Sequence, residues 1–182
     1  MPVQLGPATG TLTIHTGRAG MAAKAGHDLV IEAERWEATL DPAAQTLSAR
    51  IDVSSLRVRE GLGGVKPLSD GDKADIQKTL GEKILKTAQH PEVAFESTAI
   101  SGAGEPRWQI DGRLTLVGVS NSLSIPVTRT ERGEEVELSA SVRFLQSAFG
   151  IKPHSAMMGA LKVADEVEIR VQAHVPSSQL PQ

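Results

Sequence analysis

Cysteine and tyrosine are both absent from this 182-residue chain, and aromatic residues together make up only 3% of it. Without cysteine there can be no disulfide, thiolate nucleophile or zinc ribbon. With so few rings, stacking platforms for nucleobases are nearly missing. The formal net charge is −3, and Lys and Arg are scattered among Asp and Glu rather than gathered into the basic patch that phosphate binding needs. Nucleic acid is therefore not an expected partner. No apolar stretch approaches the roughly 20 residues of a spanning helix. The opening "MPVQLGPATGTLTIHTG" lacks the basic start and apolar run of about 7–15 residues that mark a Sec-type signal. A cytoplasmic protein that does not span the membrane is the expectation.

Hydrophobic residues, 40% of the chain against 23% charged, are sufficient for a folded core. Length and even composition predict one domain over residues 1–175, with "PSSQLPQ" as a frayed tail over 176–182. Alternation of apolar and polar residues dominates. "TLTIHT" places Leu12 and Ile14 on one face, "DLVIEA" Leu29 and Ile31, and "LSARIDV" Leu47, Ala49, Ile51 and Val53. "EVAFESTAI" aligns Val93 with Phe95, "SLSIPV" aligns Leu123, Ile125 and Val127, and "EVELSASVRF" aligns Val136, Leu138, Ala140, Val142 and Phe144. The last strand, "EVEIRVQAHV", alternates from Val167 to Val175. Between Ile31 and Leu40 the parity switches from Leu29, Ile31 and Ala33 to Trp36, Ala38 and Leu40, which requires a bulge or sharp bend near Glu34–Arg35.

Turn chemistry is read at "GTL", "TGRAG", "DPAAQ", "SGAGEP", "DG" (Asp111–Gly112), "SN" (Ser120–Asn121) and "ERGEE". Connections this short imply antiparallel neighbours. One stretch departs from alternation: "DKADIQKTLGEKILK" spaces Ile76, Leu80 and Ile84 at helical intervals, with Asp70 or Asp72 as N-cap and Lys83 and Lys86 in the last turn. The prediction is an all-β fold of about eight antiparallel strands, an up-and-down barrel or a sandwich, with one inserted helix near residues 72–86. A barrel of this size either fills with side chains or holds one small ligand. The aliphatic inward faces, with few rings to plug the middle, favour a cavity.

Three segments resemble the YceI-like family between about Gly26 and His174. "DGRLTLVGVSNSLSIPV" is similar to its Gly-x-Leu-Thr-x-x-Gly-Val-Thr strand pair through Gly112, Leu114, Thr115, Gly118 and Val119, with Ser120 for the usual Thr. "HPEVAFESTAI" matches a Pro-x-Ile/Val-x-Phe-x-Ser segment through Pro91, Val93, Phe95 and Ser97, and "FGI" at Phe149–Ile151 followed by "VADEVEIRV" resembles the closing elements. Three places depart from the pattern. Asp75–Ile76 and Ile84–Leu85 stand for His-Leu and Phe-Phe, Gln146 and Ala148 stand for Arg and Asp, and the Tyr and Asp of the first strand have no counterpart near "TLTIHT". The resemblance implies a lipocalin-like antiparallel barrel that carries a long polyisoprenoid, an isoprenoid quinone or another amphiphilic lipid in an extended internal pocket.

The candidate ligand-binding set is the inward apolar group Phe95, Leu114, Leu116, Ile125, Leu138, Val142, Phe144 and Phe149, although apolar stripes are ordinarily core. Met157 and Met158 in "SAMMGALKV" are candidates for a pliable mouth or lid, with simple gap-filling as the commoner use of methionine. His27 is expected at the cavity rim, hydrogen-bonding a ligand head group or a backbone carbonyl, with His154 or Lys152 also within reach of a polar head. His27 and Asp28 are strand neighbours on opposite faces and cannot form a dyad with each other, and no Gly-x-Ser-x-Gly elbow exists. "REGLGGVKPLS", Arg59 to Ser69, fails the P-loop pattern and reads as a mobile loop that gates the mouth. The five histidines, His15, His27, His90, His154 and His174, lack ligand spacing. Neither a metal nor a cofactor is expected.

The reading is a non-enzymatic binding or carrier protein for a long-chain apolar lipid. Two alternatives stay open: a small enzyme acting on an isoprenoid-like substrate, with His27 as base and Asp28 or Asp111 as partner, and a solid-cored structural homodimer.

Overall fold

The parity change at Glu34–Arg35 is where the sheet turns. In the computed structural model, which describes residues 1–180, burial passes from Ile31 and Ala33 to Trp36, Ala38 and Leu40 across two exposed residues. Strands β3 (Asp28–Ala33) and β4 (Trp36–Asp41) are one bent arm of a long hairpin. β5 (Thr46–Asp52) and β6 (Leu56–Leu62) are the other arm. The arms pair from Asp41↔Thr46 to Trp36↔Ile51, then from Ala33↔Leu56 to Asp28↔Leu62. Pairing survives the bend because the Glu34 N–H donates to the Ser55 carbonyl and the Asp52 N–H to the Arg35 carbonyl, each at 3.1 Å. Ser55, fully buried, accepts the Arg35 N–H on its hydroxyl at 2.9 Å, and that hydroxyl donates to the Asp52 carbonyl at 2.7 Å.

The remaining strands are β1 (Val3–Leu5), β2 (Gly10–Ala19), β7 (Glu92–Ser101), β8 (Arg107–Leu116), β9 (Val119–Arg132), β10 (Glu135–Leu145), β11 (Ser155–Ala156) and β12 (Leu161–Pro176). Their order is β1-β4-β5-β7-β8-β9-β10-β12-β2-β3-β6, with β11 paired to β12, and every pairing is antiparallel. The β4–β5 half of the bent hairpin continues the sheet through β7, whereas the β3–β6 half continues it through β2. One hairpin thus joins both ends of the sheet and curls it on itself, a closure that removes most free strand edges.

The sheet has twelve strands rather than about eight. Both hairpin arms break in two, at Glu34–Arg35 and at the single turn Val53–Ser55, and the short β1 and β11 are additional. Two expected turns are strand interior: Asp111–Gly112 pairs with Ser124 and Leu123, and Ser120–Asn121 pairs with Thr115 and Leu114. The turn between β8 and β9 is the two-residue Val117–Gly118, with φ of 49° and 73°. Two residues at positive φ define the tight hairpin whose twist matches the strands. Gly17 likewise lies within β2, so "TGRAG" ends a strand rather than interrupting one.

The helix α1 (Asp70–Thr79) starts two residues before the expected position and is capped by Ser69 rather than Asp70 or Asp72. The Ser69 hydroxyl accepts the Asp72 N–H at 3.1 Å, and the Asp72 carboxylate accepts the Ser69 N–H at 2.9 Å, a reciprocal capping box. From Leu80 to Ile84 the chain widens into one π-helical turn, closed by the Leu85 N–H on the Leu80 carbonyl at 2.8 Å. The tail is not frayed up to residue 180. The Ser177 N–H donates to the Glu134 carbonyl at 2.9 Å, and Leu180, 6% exposed, packs into the core. Residues 181–182 of the expected tail lie outside the described residues.

Candidate ligand cavity

The inner faces of β2, β3, β8 and β12, closed on one side by α1 and its π-helical turn, enclose a cavity of about 450 Å³. Ile14, Leu29 and Ile31 line it from β2 and β3, Leu114 and Leu116 from β8, and Val167 and Ile169 from β12. Ile76, Leu80, Ile84 and Leu85 supply the helical wall. The wider π turn at Leu80–Ile84 changes the angular step, so Ile84 and Leu85 both reach the cavity. A second apolar cavity of about 140 Å³ lies deeper, lined by Leu12, Trp36, Phe95, Trp108, Ile125 and Leu138 among others. Ile51, Val93, Leu114 and Ile169 line both, so these four side chains form the waist that stands between the two chambers.

Of the sequence-derived set, Leu114, Leu116, Phe144 and His27 line the larger chamber, while Phe95, Leu114, Ile125, Leu138 and Val142 line the smaller. Phe149 lines neither. It is 3% exposed and packs edge-on against Phe144, with ring centroids 5.4 Å apart. Met157 and Met158 also lie outside both chambers, exposed to solvent with φ of 52° and 54°. A tight left-handed turn carries them outward, so they do not line the mouth. The helical residues Ile76, Leu80, Ile84 and Leu85 lie outside the lining expected from sequence, although helical spacing marks Ile76, Leu80 and Ile84 as one apolar stripe.

The polar groups gather toward one end. His27 lines the larger chamber and bonds through Nε2 to the Lys66 carbonyl at 2.7 Å, tying the Gly-rich segment 63–68 to the rim. His27 thus combines a place in the lining with a backbone-carbonyl partner. Asp28 does not approach His27's partner role: its carboxylate accepts from Arg18 Nε at 3.1 Å. Asp111 sits away from the chambers, accepting from Ser124 at 2.5 Å and Gln109 at 2.9 Å, and these hydrogen bonds hold its pKa below the ordinary carboxylate value. His154 lines the chamber but Lys152 does not; the lysine found there is Lys162, joined by Arg18. Gln146, 7% exposed, is the buried amide of the wall, and its Nε2 donates to the Ala164 carbonyl at 2.9 Å. No group of three His, Asp or Glu side chains among the described residues is arranged to hold a metal ion. No described helix is long and apolar enough to cross a membrane.

A curled antiparallel barrel with a two-chambered apolar interior and a polar rim defines the class of this chain. The model of the YceI-like domain matches residues 9–175, and the chain belongs to that family. Among solved structures it is similar to BcnA of Burkholderia cenocepacia, at 21% identity and a TM-score of 0.62, over 90% of this chain and 96% of that one. It is also similar to the Campylobacter jejuni YceI protein, at 13% identity and a TM-score of 0.61, over 81% and 84%. At these identities the likeness concerns the fold. No curated protein matches the chain.

Proposed function

We propose that this chain is a non-enzymatic binding or carrier protein that holds a long apolar chain, isoprenoid-like or of another amphiphilic lipid, in the barrel interior. The observation that carries this reading is the 450 Å³ chamber, aliphatic on its strand and helix walls and bordered across four shared side chains by a second apolar one. Its size falls within the range of about 300–1,000 Å³ usual for small-molecule sites. At about 0.8 kcal/mol per buried CH₂, a chain of some twenty carbons gives ample binding drive after ordering costs. Binding of that kind requires no catalytic motif, which fits a sequence without a nucleophile elbow or a P-loop. The commitment of His27 to a backbone carbonyl and of Asp28 to Arg18 favours binding over acid–base chemistry at the rim.

Native mass spectrometry of freshly purified protein, followed by organic extraction, tests the proposal. A stoichiometric long-chain species is expected, and a folded Leu116→Trp variant should emerge without it. A bare protein that also takes up no added isoprenoid would overturn the reading and leave the solid-cored alternative.

A further inference from the structure

Three segments, 20–27, 62–69 and 150–162, adjoin at the polar end of the larger chamber. The Ala22 N–H donates to the Ala160 carbonyl at 2.8 Å, a Cβ on Gly26 would stand 2.6 Å from Leu161 Cδ1, and His27 Nε2 bonds to the Lys66 carbonyl at 2.7 Å. Ala25, Gly26, His27, His154, Ala156 and Leu161 of these segments line the chamber. The side turned to solvent is apolar as well. Apart from Met1, the four most exposed large apolar side chains among the described residues are Met21, Val65, Met157 and Met158, at least one on each segment. Exposed apolar residues scattered singly are ordinary, whereas their gathering at one rim marks an interaction surface. Met157 and Met158 are held outward at a cost, because their φ of 52° and 54° is a region that residues other than glycine rarely adopt.

Charge on these segments is of one sign. They carry Lys24, Lys66, Lys152 and Lys162, all exposed and none in an ion pair with a described residue, and all 22 acids of the chain lie elsewhere. A Cβ on Gly159 would stand 3.7 Å from Lys162 Cε, so this side chain runs beside the methionine turn. The acids that border the segments are engaged, Asp28 by Arg18 and Asp72 by Ser69, which leaves Asp70 at the start of α1. We infer that this rim docks on an anionic lipid surface, with Met21, Val65, Met157 and Met158 entering the headgroup layer and the lysines facing the phosphates. Apolar tips and clustered cations act together in such attachment, the first through burial and the second through attraction to anionic lipid. A chain of net charge −3 requires a local excess of cations to approach an anionic bilayer. On the carrier reading, docking sets the chamber's rim against the layer in which long-chain lipids reside.

The test is flotation of the full chain with vesicles of phosphatidylcholine alone and of phosphatidylcholine and phosphatidylglycerol in equal parts, at low and high salt. Binding to the anionic vesicles is expected to be at least about tenfold tighter, with the difference shrinking as salt is added. Met21→Ser combined with Met158→Ser should weaken binding to the anionic vesicles several-fold, and Lys24→Gln combined with Lys66→Gln should reduce the preference for them. Lys78→Gln combined with Lys83→Gln, the same loss of charge toward the far end of the helix, should do neither. All these side chains are exposed, so urea midpoints should match the parent. A Met21→Trp reporter should shift its emission to the blue on anionic vesicles. Absence of vesicle binding, or binding indifferent to the methionine and lysine variants, would overturn the inference. So would a dimer, formed without vesicle binding and lost in the methionine variant, which would assign the rim to a second copy of the chain. Flotation reads docking whether or not the barrel holds a lipid, so each of these outcomes leaves the carrier reading to its own extraction test.

Discussion

The ring of Phe95 on β7 lies over the α-carbon of Gly112 on β8. A Cβ placed on Gly112 would stand 2.4 Å from the Phe95 Cζ and 2.4 Å from the Glu96 carbonyl oxygen. The register explains this, because Phe95 pairs with Leu114 and Ser97 with Gly112, so the ring extends along β8 onto its one bare position. Glycine inside a strand normally weakens it, and here it makes room for an aromatic side chain of the smaller chamber. Gly112→Ala should destabilise the fold by about 1–3 kcal/mol, the usual cost of overpacking. In a Phe95→Leu background the same change should cost less, since the ring is gone. Urea unfolding of the four proteins checks this coupling, and strict additivity would refute it.

Ser55 governs the bend that curls the sheet. Its hydroxyl accepts from Arg35 and donates to the Asp52 carbonyl, in a site closed to water. Ser55→Ala leaves the Arg35 N–H without a partner, a loss of about 1–3 kcal/mol for a buried donor. Ser55→Thr keeps the oxygen but adds a methyl to a filled site, and is expected to be destabilising as well. Chemical denaturation measures both, and an alanine variant as stable as the parent would remove Ser55 from this role.

The bend itself was legible in the sequence, because a change of apolar parity within one strand has few structural solutions. The helix was legible for a similar reason, and so were most strands. The strand count was not, since alternation continues through a bend that divides each hairpin arm. Asp111–Gly112 and Ser120–Asn121 misled as turns: their composition suits a turn, but Gly112 answers to the Phe95 ring, a contact made across strands. The site divides the same way. Alternation identified the wall residues Leu114, Leu116, Ile125 and Leu138, yet it could not tell that Phe149 packs behind Phe144, nor that Met157 and Met158 turn outward at positive φ.

Glu168 on β12 provides a pH signature of the outer face. Its carboxylate accepts from Arg170 at 2.9 Å and from Ser141 at 2.5 Å, and these bonds lower its pKa to about 2 from 4.5. A carboxyl depressed in the folded state stabilises the fold above its unfolded value, and that contribution is lost as pH falls through the folded one. Glu168→Gln should therefore be less stable than the parent at neutral pH, with the gap closing between about pH 4.5 and pH 2. Urea midpoints of both proteins across this range test it; a gap independent of pH would mean that the ion pair with Arg170 contributes nothing.

Leu114 stands at the waist between the two chambers, buried at 4% exposure and part of both linings. If the chambers form one path for a long chain, bulk at this point should separate them without disturbing the mouth. Leu114→Trp is expected to reduce binding of long chains that must pass the waist far more than that of short chains accommodated by the outer chamber. The larger ring brings an overpacking cost of about 1–3 kcal/mol, so circular dichroism and a denaturation curve must first show a folded variant. Leu114→Ala gives the opposite perturbation, widening the waist, and should at least preserve affinity for the longer chains relative to the shorter. Affinities of a homologous series of chain lengths, measured on the parent and both variants, decide the matter. A parallel loss for every length in Leu114→Trp would mean that the deeper chamber takes no part in binding, and that the ligand ends at the waist.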